Sequence, residues 1–138
     1  MLTLHQIRRL WQKHVLAENR RDIPGLLATL CEDPIYIFMA TGQRWAGKEQ
    51  VAAFYQGLFD AMPDAMFELV NQYVGIAGVV EESVLKGTHT GKELAGFKPD
   101  GRKVALPIII VFPLAGDKFW GERMYFDMET LRKQLTGE

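Results

Sequence analysis

The chain has one cysteine, Cys31, in 138 residues. No disulfide can form within it, and a reducing compartment is the expected setting. Cys31 closes the apolar run Leu26 to Cys31, which suits a buried structural thiol better than a nucleophile. An excess of charge is also missing: 16 basic residues face 17 acidic ones, for a net charge of -1. The basic footprint of a nucleic-acid binder is therefore absent. The longest uncharged apolar run, Val104 to Ala115, is broken by Pro107 and Pro113. It falls short of the roughly 20 residues that a spanning helix needs. The N-terminal stretch MLTLHQIRRLWQKHV has no signal-peptide core. Together these absences predict a cytoplasmic protein that binds neither nucleic acid nor membrane. G-x-S-x-G, Walker A and G-x-G-x-x-G motifs are missing as well. His5, His14 and His89 show no metal-ligand spacing with Cys31 or with each other. No metal and no cofactor are expected.

What remains is ordinary for one globular domain over residues 1–138, with 48% hydrophobic and 24% charged residues. Leu4, Ile7, Trp11, Val15 and Leu16 recur at helical spacing, predicting a first helix from Thr3 to Arg20. His14 falls on or beside that face. Asp22 before Ile23-Pro24 signals a second helix, expected to run through Cys31 and to stop at Asp33-Pro34. Ile35 to Met39 reads as a strand apolar on both faces, followed by a turn over residues 41–47. Val51, Phe54, Tyr55, Leu58, Phe59 and Met62 mark a third helix. That stripe is core first, and the buried phenol of Tyr55 needs a partner. Strands follow over residues 65–74, 79–90 and 104–114, with a turn-rich excursion between the last two. Helices early and an antiparallel meander late predict an α+β fold, with helices on one face of a curved sheet.

The last strand and helix, FWGERMYFDMETLRKQL, carry the sharpest signal. Simple alternation places Phe119, Gly121, Arg123, Tyr125 and Asp127 on one face and Trp120, Glu122, Met124, Phe126 and Met128 on the other. On that reading Glu122 points away from Asp127 and is no rival to it. Asp127 is either the N-cap of the helix from Met128 to Leu135 or a site carboxylate.

Three further stretches resemble a known family. They are Gly87-Thr88-His89-Thr90-Gly91, then Gly96-x-x-Pro99-x-Gly101-Arg102, then Glu122-Arg123-x-Tyr125-Phe126-Asp127 with Gln134-Leu135. Together with Trp11-x-x-His14-x-x-Ala17-Glu18-Asn19-x-x-Asp22, these resemble the SnoaL-like polyketide cyclase and ester cyclase group. That group lies within the superfamily of ketosteroid isomerase, scytalone dehydratase and nuclear transport factor two. The resemblance implies a conical barrel: a strongly curved, mixed sheet around a deep cavity closed by three N-terminal helices. It implies Asp127 as a general acid/base and His89 beside the substrate. Trp11, His14, Tyr36, Tyr55, Phe59, Arg123 and Tyr125 are the residues then expected to bind the ligand. The implied activity is cofactor-free cyclisation or isomerisation of a hydrophobic carbonyl compound. A non-catalytic ligand-binding domain with an Asp127–Arg123 pair, or an epoxide hydrolase or dehydratase relative, is the alternative. A homodimer is expected through a face bearing Trp120, Met124 and Phe126. Residues 92–103, with little to bury, are expected to form a mobile rim over the cavity mouth.

Overall fold

The computed structural model describes every residue, Met1–Glu138. Its elements are α1 (Leu4–Asn19), α2 (Ile23–Leu27), β1 (Leu30–Phe38), β2 (Arg44–Ala46), α3 (Lys48–Ala61), β3 (Met66–Gly75), β4 (Gly78–Thr88), β5 (Lys103–Ala115), β6 (Lys118–Tyr125) and α4 (Met128–Thr136). The six strands form one curved, unclosed sheet in the order β2-β1-β6-β5-β4-β3. Only the β1–β6 pair is parallel. Helices cover the concave side, giving the cone that the resemblance implied. No helix is long and apolar enough to cross a membrane.

α1 begins at a capping box in which Thr3 and Gln6 satisfy each other's backbone donors. Its buried stripe is Ile7, Leu10, Trp11, His14, Ala17 and Glu18, while Leu4 and Leu16 are exposed. The helix is therefore rotated from the face expected, and it turns two polar side chains inward. α2 stops at Leu27 rather than Cys31, and Leu30 and Cys31 already belong to β1. Asp33-Pro34 ends no helix. It lies inside β1, where the pairing with β6 is irregular between Leu30 and Ile35. An irregular strand tolerates proline, which has no amide hydrogen to give a neighbour. Cys31 is half-buried there. The expected turn at residues 41–47 holds the short strand β2. The short helix expected after Asp127 is present as α4, and its Met128 and Leu131 line the mouth of the cone.

β6 departs from simple alternation. Between Phe119 and Arg123 it advances four residues while β5 advances three, from Leu114 to Val111. The extra residue makes a bulge at Gly121, whose φ is +141°. Phe119 and Glu122 consequently both face the interior, each buried. Met124 is buried on the same side, and Phe126 follows it. Trp120 and Tyr125 are exposed. The expected outer face of Trp120, Met124 and Phe126 thus does not exist: only Trp120 faces out. Glu122, expected to point away from the interior, points into it.

Candidate functional site: an apolar cavity above a buried polar floor

The wide end of the cone holds a cavity of about 410 Å³, lined chiefly by apolar side chains. Phe38 of β1, Phe54 of α3, Phe67 of β3, Leu85 of β4, Ile108 of β5 and Met124 and Phe126 from the β6 end supply its walls. Thr41, Gln43 and Glu93 are the polar side chains along it. A more open hollow of about 670 Å³ at the end of α4 is lined by residues such as Asp100, Lys103 and Lys133 and holds no hydrophobic side chain.

One inward-facing residue deeper along the strands, the chemistry changes. Phe38 is followed by Tyr36, Leu85 by Ser83 and then Glu81, and Met124 by Glu122. Strand alternation makes this a layer, because side chains two apart share a face. The layer is buried: Tyr36, Tyr55, His14, Glu81, Ser83 and Glu122 are each at most 3% exposed. Glu122 is its hub. Tyr55 donates its hydroxyl to Glu122 Oε2 at 2.9 Å, and His14 Nε2 lies 2.9 Å from the same oxygen. The Tyr55 oxygen also lies 3.2 Å from His14 Nε2, and the Tyr36 hydroxyl meets that of Tyr55. To one side, Trp11 Nε1 donates to Glu81 Oε1 at 3.0 Å and Ser83 donates to Glu81 Oε2 at 2.6 Å.

Burial dominates the electrostatics here. It pushes both phenols well above the usual tyrosine range, and the neighbouring Glu122 carboxylate pushes them further. They stay protonated and serve as hydrogen-bond donors. Burial also raises Glu81, with Glu122 adding to the rise against the hydrogen bonds from Ser83 and Trp11. Glu18, 8% exposed, is raised well above the carboxylate range by burial first and then by Glu122 and Glu81. A carboxyl raised on folding is neutral in both states at low pH. As pH climbs through the ordinary glutamate range, the unfolded chain ionises first and the folded state loses ground, until its own raised pKa is passed. Glu18→Gln should therefore melt a few degrees above the parent at neutral pH, the gain fading near about pH 4, where unfolded glutamate is itself half-protonated. Thermal melts across pH test this, and a gain that is constant with pH would contradict it.

The model of the family described as SnoaL-like polyketide cyclase matches residues 5–135, nearly the whole chain. The chain belongs to that family. A comparison with curated proteins gives no match. Among solved structures, a protein assigned as a SnoaL-like polyketide cyclase from Jannaschia sp. CCS1 superposes with a TM-score of 0.86 at 22% identity, covering 97% of this chain and 94% of that one. One assigned as a polyketide cyclase from Xanthomonas campestris pv. campestris gives 0.82 at 22% identity, covering 95% and 97%. A ketosteroid isomerase-like fold from Catenulispora acidiphila, in complex with trimethylamine, gives 0.74 at 16% identity, covering 92% of each. At these identities the neighbours establish the fold.

In this SnoaL-like chain the residues expected at the site fall into three places. Trp11, His14, Tyr36 and Tyr55 come together in the polar floor. Phe59 is buried beside it, its ring stacked on that of Tyr55 at 6.1 Å between centroids and capped by the Arg21 guanidinium at 5.1 Å. Arg123 and Tyr125 lie on the outer face of the sheet, turned there by the bulge at Gly121. Asp127 is the N-cap of α4, accepting from Thr130 N at 2.9 Å and Thr130 Oγ1 at 2.6 Å. It is exposed, between the cavity-lining Phe126 and Met128, and those two bonds from Thr130 hold its carboxyl below the usual range. No ion pair joins it to Arg123. The expected position of Asp127 inside the cone is thus corrected to its rim.

His89 is fully buried outside the cavity. Its Nε2 donates to the Lys92 carbonyl at 2.7 Å and its backbone bonds Arg102 and Gly101. It clips shut the excursion after β4. Gly91, two residues on, sits so close to the end of α3 that a Cβ would meet Asp60 O at 1.7 Å. Glu93 to Gly96 of that excursion do line the cavity mouth. Leu94 and Phe97 pack against the core, however, so the segment buries more than its composition suggested.

The floor residues that sequence reasoning missed are Glu122, Glu81, Ser83, Glu18 and Thr29. Two of these groups had a signal. Trp11, His14 and Glu18 share one helical stripe, and Val79, Glu81, Ser83 and Leu85 share one strand face. Glu122 was hidden by the bulge.

Proposed function

We propose that the protein is a cofactor-independent cyclase or isomerase of a hydrophobic, polyketide- or steroid-like carbonyl compound, with its acid/base chemistry in the polar floor. The supporting observation is the layering: an apolar cavity of ligand size lies directly above a hydrogen-bonded carboxylate, imidazole and two phenols. Glu122 takes a proton from carbon next to a carbonyl, breaking the C–H bond and leaving an enolate. Tyr55 and Tyr36, held protonated, donate hydrogen bonds to the oxygen on which the charge develops. Glu122 then returns the proton, either to a different carbon, giving the isomer, or to the alkoxide formed when the enolate carbon closes onto a second carbonyl, giving the ring. His14 Nε2, 2.9 Å from Glu122 Oε2, holds that oxygen in position before and after transfer. Met124 and Phe54 stand between cavity and floor, so substrate entry needs one of them to swing aside. Methionine is the more adaptable of the two.

Asp127 takes the capping role in this reading. Incubating the protein in D₂O with a panel of flat, apolar 1,3-dicarbonyl compounds tests the proposal, with catalysed deuterium exchange at the carbon between the carbonyls as the expected result. Tight binding without exchange of any compound would favour the second reading, a small-ligand-binding domain. The chiefly apolar lining of the cavity, with Glu93 as its single ionisable side chain, is what supports that alternative.

We also propose a homodimer through the outer face of the sheet. Tyr73, Val80 and Val111 form one outward row across β3, β4 and β5, and Ile109 and Tyr125 pair across β5 and β6 in the next. Trp120, half-exposed at 50%, extends this apolar surface, which a two-fold contact would cover. Sedimentation at micromolar concentration should give a dimer, and a monomer would refute it.

A further inference from the structure

We propose that Thr29 fixes the ring tautomer of His14, holding a proton on Nδ1 and so presenting Nε2 to Glu122 and Tyr55. Thr29 would then be a positioning residue for the acid/base floor; that part rests on the function proposed above. The tautomer follows from counting hydrogens. Thr29 Oγ1 lies 2.7 Å from the Leu26 carbonyl oxygen and 2.8 Å from His14 Nδ1. A hydroxyl has one hydrogen, and a carbonyl can only accept. Two oxygens 2.7 Å apart with no proton between them would repel. The Thr29 hydrogen therefore goes to Leu26, Oγ1 is left as an acceptor, and Nδ1 must donate to it. Thr29 and His14 are 3% and 0% exposed, so no water can relieve a different arrangement at that edge of the ring.

The opposite edge then has a defined task. Nε2 faces Glu122 Oε2 at 2.9 Å and the Tyr55 oxygen at 3.2 Å. For that 2.9 Å contact to be a hydrogen bond, a hydrogen must lie between Nε2 and Glu122 Oε2. The groups that face the ring come from several elements. Glu122 comes from β6, Tyr55 from α3 with Tyr36 of β1 behind it, and Glu81 of β4 interacts with the ring through charge, while Glu18 lies on the same buried face of α1. Phe112 and Phe119 close the remaining sides edge-on, at 5.2 and 6.4 Å between centroids. With Nδ1 occupied, proton movement at His14 is confined to the Glu122 side. Were the tautomer free, the ring could carry a proton on Nδ1 or Nε2, and the hydrogen bonding of Nε2 to Glu122 and Tyr55 would not be fixed.

His89 provides an internal contrast. Its Nε2 lies 2.7 Å from the Lys92 carbonyl, while its Nδ1 has no partner. It must hold the opposite tautomer, with the hydrogen on Nε2.

Long-range ¹H–¹⁵N correlation spectra of the full ¹⁵N-labelled chain at neutral pH read these protons directly and need no substrate. The expected result is a protonated Nδ1 at His14 and a bare Nδ1 at His89. Thr29→Val, which keeps the shape and removes the acceptor, should lose the protonated Nδ1 signature of His14, and Thr29→Ser should keep it. A wild-type His14 with a bare Nδ1 overturns the proposal, as does a Thr29→Val protein in which Nδ1 stays protonated. If the valine variant does not fold, the wild-type spectrum and the serine variant still decide. Because turnover is not measured, a failure of the catalytic reading shows up separately: exchange would survive loss of Glu122 while the Nδ1 signature stood unchanged.

Discussion

Glu122→Gln should lower catalysed deuterium exchange by about 10²–10⁴-fold, the usual loss when a positioned acid/base is removed, while Asp127→Asn leaves it close to the parent rate. The two substitutions are alike in size and in charge removed, so the contrast isolates position. Glu122 is 3% exposed and shares one oxygen with Tyr55 and His14. A glutamine there can still accept from Tyr55 through its amide oxygen, so the floor stays connected, but it cannot take a proton. Asp127 is an exposed cap bonded to Thr130. Asparagine caps about as well as aspartate, and the helix should be retained. Circular dichroism and melting curves of both variants guard against a folding defect. Tyr55→Phe gives a further arm, weakening exchange by removal of the donor to the developing oxyanion without removing the base. The opposite outcome, exchange lost in Asp127→Asn and kept in Glu122→Gln, would move the chemistry to the rim. It would restore the role that family resemblance gave Asp127.

The sequence was most informative where periodicity is strong and uninterrupted. The stripe from Val51 to Met62 gave α3 almost to the residue, and the strands expected over residues 65–74 and 79–90 match β3 and β4 closely. Family motifs carried the cone. They did not carry the interior, because a resemblance assigns roles by position along the chain and cannot see which side chains turn inward. His14, Tyr36 and Tyr55 were named individually, yet nothing in their spacing says that their polar atoms converge on one carboxylate. Their partner was excluded by a rule that holds for regular strands. Alternation counts residues in steps of two, and one inserted residue inverts every assignment beyond it. The error at Glu122, the misplaced dimer face and the expected inward aim of Arg123 and Tyr125 are one error seen at several side chains. β1 contributed a similar one: a proline in an irregular strand carries the same local signal as a helix stop.

That inserted residue leads to the second large effect expected. Gly121→Ala should destabilise the protein by about 2–4 kcal/mol, near the upper end for a single substitution, lowering the melting temperature by about 10 °C for a domain of this length. Two causes add. The φ of +141° is a conformation that side chains other than glycine's rarely adopt. A Cβ would also meet the carbonyl oxygen of Ile35 at 1.9 Å, and that oxygen is held in the parallel pairing of β1 with β6. Neither strand can yield without disturbing the pairing that closes the cone around Tyr36. Gly116→Ala is the matched control. Its φ is also positive, +66°, but nothing lies within 4 Å of the added carbon, so only the backbone term of about 1 kcal/mol should appear. If the two variants melt together, close approach to Ile35 is not what holds the bulge. If Gly121→Ala melts far lower and also loses exchange in the fraction that remains folded, stability and chemistry meet at one backbone position. The same extra residue that costs β6 its regular ladder turns Glu122 toward His14 and Tyr55, and a strand without it would aim that carboxylate at solvent.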